Sequence, residues 1–169
     1  MPTGQTTPGI TFTGMLQYNH PQAAAWVTGN AENPQLSGLV KFYQTPYSGI
    51  LVEAEVFGLP DKERLKTEHF TGNFYAMHIH QFGDCSSGFS KTGDHYNPEN
   101  EPHPFHAGDL LPLLSNQGYA WSAFYDKRFT ISEIIGRSVI IHSGPDDFTT
   151  QPSGNAGTKI GCGEIRRIL

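Results

Sequence analysis

The fold of this chain is indicated most clearly by one run of residues, Ile50-Leu51-Val52-Glu53-Ala54-Glu55-Val56-Phe57. Successive side chains of a β-strand point to opposite faces, so Val52, Ala54 and Val56 share one face while Glu53 and Glu55 share the other. An apolar face opposite a charged face is typical of an antiparallel strand that has one side on the core and one side in water. We therefore predict a half-buried antiparallel strand over residues 50–57.

Similar short runs recur along the chain, and most of them end near glycine, proline or asparagine. We predict further strands over residues 24–27, 39–43, 73–80, 119–124, 138–142 and 160–165. One short helical turn is predicted over residues 131–135, because Thr130 and Glu133 have the spacing of a capping box and Gly136 follows. Many short strands with frequent turns predict an all-β sandwich or Greek-key barrel.

The length of 169 residues fits one domain, which we place at residues 21–169. Residues 1–20 are polar and rich in glycine, threonine and proline, and we expect a loosely ordered leader there. No run of 18 apolar residues exists, so no membrane span is predicted. The N-terminus has no basic region followed by an apolar run. These features predict a cytoplasmic protein, or a periplasmic or extracellular one if a signal peptide was removed before this numbering.

The charge balance argues against two classes of partner. Eleven basic and 16 acidic residues give a net charge of −5. Such a chain has no general attraction to nucleic acid or to an anionic membrane. Its two cysteines are too few for a cysteine-rich zinc site, so metal binding here would depend on imidazole and carboxylate groups.

Eight histidines are present, and six of them form an ordered pattern. His78 and His80 lie two apart on a predicted strand, so their imidazoles share one face, although such a pair is also common as a solvated or packed pair. Residues 81–118 read as a long loop that supplies His95, His103, His106 and Asp109. Three nitrogens and one oxygen satisfy four-coordinate zinc; the other interpretation is a histidine-rich surface loop.

His142 ends an apolar strand, and alone it would be read as a strand-end histidine. We expect His20 and His69 to be surface residues. Taken together, the six histidines exceed the needs of one zinc ion. Two metals could share the set if one imidazole bridged them, and four nitrogen ligands suit copper at the second site.

With this pattern of histidines, the sequence resembles the copper,zinc superoxide dismutases from about residue 24 to the C-terminus. Residues 77–85 resemble the first copper-ligand strand of that family, residues 93–98 its bridging-histidine motif and residues 106–110 the end of its zinc loop. Residues 136–142 resemble the last copper-ligand strand, and residues 154–157 with 161–163 resemble the closing signature. The short loops are similar to those of the bacterial branch.

The resemblance implies an eight-stranded antiparallel Greek-key β-barrel with long metal-binding and electrostatic loops. It implies copper on His78, His80, His95 and His142, and zinc on His95, His103, His106 and Asp109, with His95 as the bridge. It also implies a carboxylate at Asp146 that links His78 to His103, and a disulfide between Cys85 and Cys162. His103 and His106 are only three residues apart, which is shorter than in most family members.

The implied activity is the conversion of superoxide to oxygen and hydrogen peroxide by copper redox cycling. His95 would deliver a proton, and zinc would have a structural role. The family has a superoxide-guiding arginine where this chain has Lys159, which keeps the charge but loses the planar fork of donors.

Two alternatives stay open from the sequence. One is a copper- and zinc-binding protein of the same fold with little turnover, and it is motivated by Lys159 and the short His103–His106 spacing. The other is a plain interaction domain, which leaves the six ordered histidines unexplained. The family forms dimers through more than one surface and also includes monomers, so a homodimer is one of the open states.

Overall fold

The computed structural model describes residues 8–60 and 73–169. These ranges contain nine strands and three helical segments, joined by loops. The strands are β1 (Ala23–Gly29), β2 (Ser37–Gln44), β3 (Ile50–Phe57), β4 (Phe74–Tyr75), β5 (Met77–His80), β6 (Leu113–Leu114), β7 (Ala120–Asp126), β8 (Ser138–His142) and β9 (Lys159–Arg167). The helical segments are α1 (Pro8–Tyr18), a 3₁₀ segment (Ser87–Thr92) and α2 (Ile131–Ile134).

Seven of these strands form one antiparallel sheet in the order β5-β8-β9-β1-β2-β3-β7, and β4 pairs with β6 in a second, two-stranded sheet. Strands distant in sequence are neighbours here, since β9 pairs with β1 and β5 pairs with β8. The predicted all-β Greek-key fold is confirmed. The predicted strand over residues 73–80 is divided at Ala76 into β4 and β5, and β6 and the 3₁₀ segment lie inside the predicted long loop.

The alternation in β3 separates core from surface as predicted. Val52, Ala54 and Val56 are fully buried, whereas Glu53 and Glu55 lie partly exposed on the outer face. Burying a side chain the size of valine contributes about 1.5–3 kcal/mol relative to leaving it in water. The inner face of the sheet is therefore a continuous apolar core, and this core supports the strands that carry the histidines.

The N-terminal segment differs from the expected loose leader, because the structure has helix α1 over Pro8–Tyr18. Met15 packs against Tyr43 and Leu51 on the outer face of the sheet, and the Phe12 ring stacks on Tyr125 with the ring centroids 5.4 Å apart. The segment lacks a strong helical signal because glycine and threonine are poor helix formers, so the helix depends on this packing. The boundary at residue 20 stays a prediction.

The sequence also predicts that His20 and His69 lie on the surface. His20 is exposed, as predicted, whereas His69 lies outside the described residues.

Among the described residues, no helix has both the length and the hydrophobicity of a membrane span.

The disulfide between Cys85 and Cys162 is present, as the resemblance implied. It ties the start of the long loop to β9, where Cys162 is 1% exposed and packs with Phe89 and Ile140. Because Ile140 pairs directly with Cys162, the bridge joins the loop to the strand pair β8–β9.

We expect loss of this disulfide to destabilise the protein. The bridge spans 77 positions, and for a loop of that length the chain-entropy argument gives a stabilisation of about 4 kcal/mol. Urea unfolding of the metal-free protein, compared with the double variant Cys85→Ser and Cys162→Ser, measures the difference. A variant that matched the wild-type free energy of unfolding would show that the bridge contributes nothing to stability.

Candidate metal centre

The long loop after β5 folds back along that same strand, and this return assembles the site. The Tyr96 N–H donates to the Ile79 carbonyl at 2.7 Å, and the Ile79 N–H donates to the Gly108 carbonyl at 2.8 Å. Only glycine fits at position 108, because a Cβ there would lie 2.3 Å from the Ile79 carbonyl oxygen. The loop is therefore pinned to β5 on both sides of the histidine-bearing stretch.

This pairing sets the positions of four polar side chains. In isolated bridges beside β5, His95 lies opposite His80 and Asp109 lies opposite His78. His78 and His80, which lie on the same face of β5, are therefore each paired with one residue of the loop. The sequence spacing of the histidines is converted into two adjacent groups in space.

The first group contains four buried histidines, which we call cluster 1. One ring nitrogen from each member lies within 4.8 Å of the others; the members are His78, His80, His95 and His142. Two come from β5, one from the loop and one from the end of β8, which pairs with β5.

The second group, cluster 2, has three histidines and a carboxylate, all buried. Its ligand atoms also lie within 4.8 Å of one another; the members are His95, His103, His106 and Asp109. His95 belongs to both clusters. Its Nδ1 lies 2.7 Å from Asp109 Oδ1, while its Nε2 has no hydrogen-bond partner among the described residues.

Hydrogen bonds to carbonyl groups fix two tautomers in cluster 1. His80 Nδ1 lies 2.8 Å from the Gly93 oxygen, and His142 Nδ1 lies 3.3 Å from the Gly157 oxygen. A carbonyl only accepts, so each Nδ1 carries the hydrogen and each Nε2 presents a lone pair. These two Nε2 atoms lie 3.3 Å apart. Two lone pairs that face each other repel, and a cation between them removes the repulsion.

Three further ring nitrogens also lack a partner that a bound cation would supply. His78 Nδ1, His95 Nε2 and His103 Nδ1 are buried and, within the described ranges, make no hydrogen bond. His103 Nδ1 approaches Asp109 Oδ2 to 3.0 Å without hydrogen-bond geometry, as two ligand atoms around one ion would. A buried polar atom without a partner costs about 1–3 kcal/mol. Metal ions bound in both clusters would satisfy all three atoms, so the residues present fit copper and zinc.

Asp146 links the two clusters from the loop after β8. Its two oxygens accept from His78 Nε2 and His103 Nε2, each at 2.8 Å, and Oδ1 also accepts the Phe148 N–H. Burial alone would raise the pKa of Asp146, but these donors hold it well below the usual range. An ionised carboxylate here fixes both imidazole tautomers and turns both Nδ1 atoms toward the clusters.

Burial keeps three histidines of cluster 1, His78, His80 and His142, uncharged at neutral pH. It lowers the pKa of His78 to about 4, that of His80 to about 2 and that of His142 to about 3. It also lowers the pKa of His106. For Asp109, burial acts to raise the pKa, but the neighbouring histidines lower it overall. Neutral imidazoles and an ionised carboxylate are the forms that bind metals.

Lys159 begins β9 at the edge of an open cavity that His80, His95 and His142 also line. Among the described residues around this cavity, it is the one lysine or arginine. Its ammonium donates to Thr92 Oγ1 at 2.8 Å and to the Gly93 and Phe89 carbonyls at 3.1 and 3.4 Å. Burial lowers the pKa of Lys159, and Asp94 partly opposes this.

Two residues that carry no motif or spacing signal in the sequence also contact the site. Gln151 and Arg128 hydrogen-bond to the backbone of the residues in cluster 2. Side chain to backbone bonds between distant segments have no periodic signal in a sequence. Nothing in the pattern of residues could therefore have identified them.

Comparison with known proteins supports this geometry. Residues 36–165 match the family described as Copper/zinc superoxide dismutase (SODC). The chain is 35% identical over 141 residues to "Extracellular superoxide dismutase [Cu-Zn]" of Rattus norvegicus, a match that covers 78% of this chain and 55% of the rat protein. It is 38% identical over 122 residues to "Superoxide dismutase [Cu-Zn] 3" of Arabidopsis thaliana, covering 59% of this chain and 74% of that protein.

A solved structure gives the same result for the fold. The crystal structure of the clock protein EA4 superposes with a TM-score of 0.72 at 29% identity, covering 88% of this chain and 96% of that chain. The chain spans about half the length of the rat relative. Its assignment to a bacterial branch stays a prediction. The extent of the family match and the Arabidopsis relative show that this chain belongs to the copper/zinc superoxide dismutase family.

Proposed function

We propose that this protein dismutates superoxide, converting two superoxide anions and two protons to oxygen and hydrogen peroxide. The observation that carries the proposal is the pair of buried clusters that share His95, with unpartnered nitrogens turned inward. Family membership supports the same activity. We assign copper to His78, His80, His95 and His142, and zinc to His95, His103, His106 and Asp109.

Bound copper would supply one-electron chemistry, being reduced by one superoxide and oxidised by the next, and zinc would have no redox role. The protein's own part is to hold the ligands and to supply a proton. His95 can carry a proton at Nε2, which faces cluster 1, while Asp109 and cluster 2 hold its other nitrogen. That proton would pass to the forming peroxide, solvent in the open cavity would supply the second proton, and solvent would then reprotonate His95.

Lys159 would attract the anionic substrate, since the net charge of −5 opposes superoxide and any steering must be local. Its charge acts at the site, because it helps to lower the pKa of both His80 and His142. Its hydrogen bonds to Thr92 and Gly93 would also keep the 3₁₀ segment against the cavity.

One observation favours a second candidate function, a metal-binding protein of the same fold with little turnover. Among the described residues, the Lys159 ammonium donates to three acceptors, and all three belong to the loop, so each of its three hydrogens is already engaged. Superoxide could then be attracted without being oriented. Superoxide decay in protein loaded with both metals separates the two functions.

We also propose a homodimer, which sedimentation of the metal-loaded protein tests. The compartment is proposed to be cytoplasmic, or periplasmic or extracellular if a signal peptide precedes this sequence. The extracellular name of the rat relative supports the second location.

The division of ligands predicts which metal each substitution removes. Protein loaded with both ions should contain about one copper and one zinc per chain. Asp109→Ala should loosen zinc first, because it deletes the carboxylate of cluster 2. His142→Ala should remove copper and leave zinc in place. Elemental analysis after dialysis measures both, and loss of the same metal in both variants would contradict the assignment.

The buried histidines predict an acid-sensitive fold in the absence of metal. Below pH 6.5 the unfolded chain protonates histidines that the folded chain keeps neutral, so stability is lost as pH falls from about 6.5 toward 4. The slope should approach about 1.4 kcal/mol per pH unit for each of His78, His80 and His142. Urea unfolding across this range measures it, with exposed His20→Gln as the matched control. A stability that did not change between pH 7 and pH 4.5 would refute this account of their burial.

The charge of Lys159 should matter more than its shape for the encounter with superoxide. Lys159→Arg should keep or raise the rate, Lys159→Glu should slow it strongly by reversing the local field, and Lys159→Met should fall between. Salt should slow the wild type, since the screening length is about 8 Å at 0.15 M. The catalytic rate constant of all four proteins at matched copper content tests this. Equal rates for the wild type and Lys159→Glu at low salt would remove Lys159 from the mechanism.

A further inference from the structure

The loop that supplies cluster 2 has little regular structure of its own. Residues 103–109 contain three of the four ligands, and only three positions separate His103 from His106. A short irregular segment can place three ligand atoms on one ion only if its backbone is fixed.

Gln151 holds the start of this segment. Its side-chain Oε1 accepts the His103 N–H at 2.9 Å, and its Nε2 donates to the His103 carbonyl at 2.7 Å. One primary amide thus satisfies both backbone groups of a single residue, as a neighbouring strand would. Gln151 lies in the loop between β8 and β9, 48 positions away in sequence.

Arg128 holds the end of the segment. Its guanidinium donates from Nη1 to the His106 carbonyl at 3.1 Å and from Nη2 to the Asp109 carbonyl at 2.5 Å. Asp126, at the end of β7, fixes the guanidinium by accepting from Nε and Nη2. The fork of donors therefore spans the backbone of two members of cluster 2 at once.

The loop that carries Gln151 has a second close contact with His103. Gly154 has φ +68°, and a Cβ there would lie 2.0 Å from Asp146 Oδ1 and 2.7 Å from His103 Nε2. The backbone at Gly154 therefore covers the hydrogen bond between Asp146 and His103. This loop contacts the imidazole of His103 through Asp146 and its backbone through Gln151.

We propose that Gln151 and Arg128 are positioning residues for zinc, which fix the backbone of the shortened ligand loop from outside it. The proposal rests on the zinc assignment of the proposed function. Neither side chain belongs to a metal cluster, and both act on the peptide groups of ligands. They add support from outside to the hydrogen bonds that the loop makes within itself, such as those from the Asp109 N–H to the His106 carbonyl and from the His106 N–H to Asp109 Oδ2.

The test is the zinc dissociation constant, measured by competition with a chromophoric chelator. Gln151→Ala removes both hydrogen bonds to His103, and Arg128→Lys keeps the charge but loses the fork. Loss of an outer partner of a metal ligand typically weakens affinity by about 10–100-fold, and we expect each variant to fall in that range. The copper dissociation constant, measured in the same way, should not change. A general loss of structure would weaken both metals, so this selectivity separates positioning from misfolding.

Gln151→Glu provides a second variant at an exposed position. It keeps an acceptor for the His103 N–H but loses the donor to the carbonyl, so its zinc affinity should also fall. Gln35→Ala and Arg166→Lys are matched controls, because Gln35 is exposed and Arg166 pairs with Glu164 away from both clusters. Both controls should bind zinc as the wild type does.

Zinc dissociation constants equal to the wild-type value in Gln151→Ala, Gln151→Glu and Arg128→Lys would overturn the proposal. The measurement uses no superoxide, so its failure is distinct from failure of the proposed activity. Tight zinc binding without dismutation would remove the activity and leave these roles intact. Dismutation with unchanged zinc affinity in all three variants would remove the roles alone.

Discussion

Two imidazole nitrogens that face each other across 3.3 Å, His80 Nε2 and His142 Nε2, set the constraint on which the rest of the site depends. Both present lone pairs, because carbonyl groups accept the hydrogens on the opposite ring atoms. Such an arrangement is unfavourable by itself, so it persists only if the surrounding structure imposes it. The paired strands β5 and β8 impose it from one side. The carbonyls of Gly93 and Gly157, which come from the two loops, impose it from the other.

Hydrogen bonds from the loops also orient the histidines that the strands carry, so the site depends on the loops and the barrel together. Asp146 reaches from one loop to a histidine of each cluster, and the Gly93 carbonyl accepts from both His80 and Lys159. Each of these groups fixes the orientation of an imidazole without belonging to a metal cluster. Cluster geometry is therefore a property of the hydrogen bonds around it as much as of the histidines themselves.

The sequence predicted the parts of this molecule that follow a period or a family motif. Alternation, which is a local pattern, identified β3. The spacing of the histidines indicated a zinc site in the long loop, and the family motifs implied how the ligands divide between the two clusters. Helix α1 was missed because its stability comes from contact with Tyr43 and Leu51 rather than from its own residues. Gln151 and Arg128 were missed because each hydrogen-bonds to backbone groups that are distant in sequence. Every residue has a backbone carbonyl, so these partners leave no signal in the sequence.

Lys159 stands where the resemblance implies a superoxide-guiding arginine, and its contacts in the structure bear on that difference. The disulfide ties Cys85 to Cys162, and the chain that follows Cys85 accepts from the Lys159 ammonium through the Phe89 carbonyl of the 3₁₀ segment and the Gly93 carbonyl just after it. A lysine has three hydrogens, and the structure offers three acceptors, so lysine meets the structural requirement fully. Arginine has five, and it could make the same contacts with donors left for an anion. An arginine here could therefore hold the loop and orient an anion at the same time. Lysine holds the loop through these contacts, and in the proposed function it would attract superoxide by its charge, but no hydrogen would be left to orient the anion.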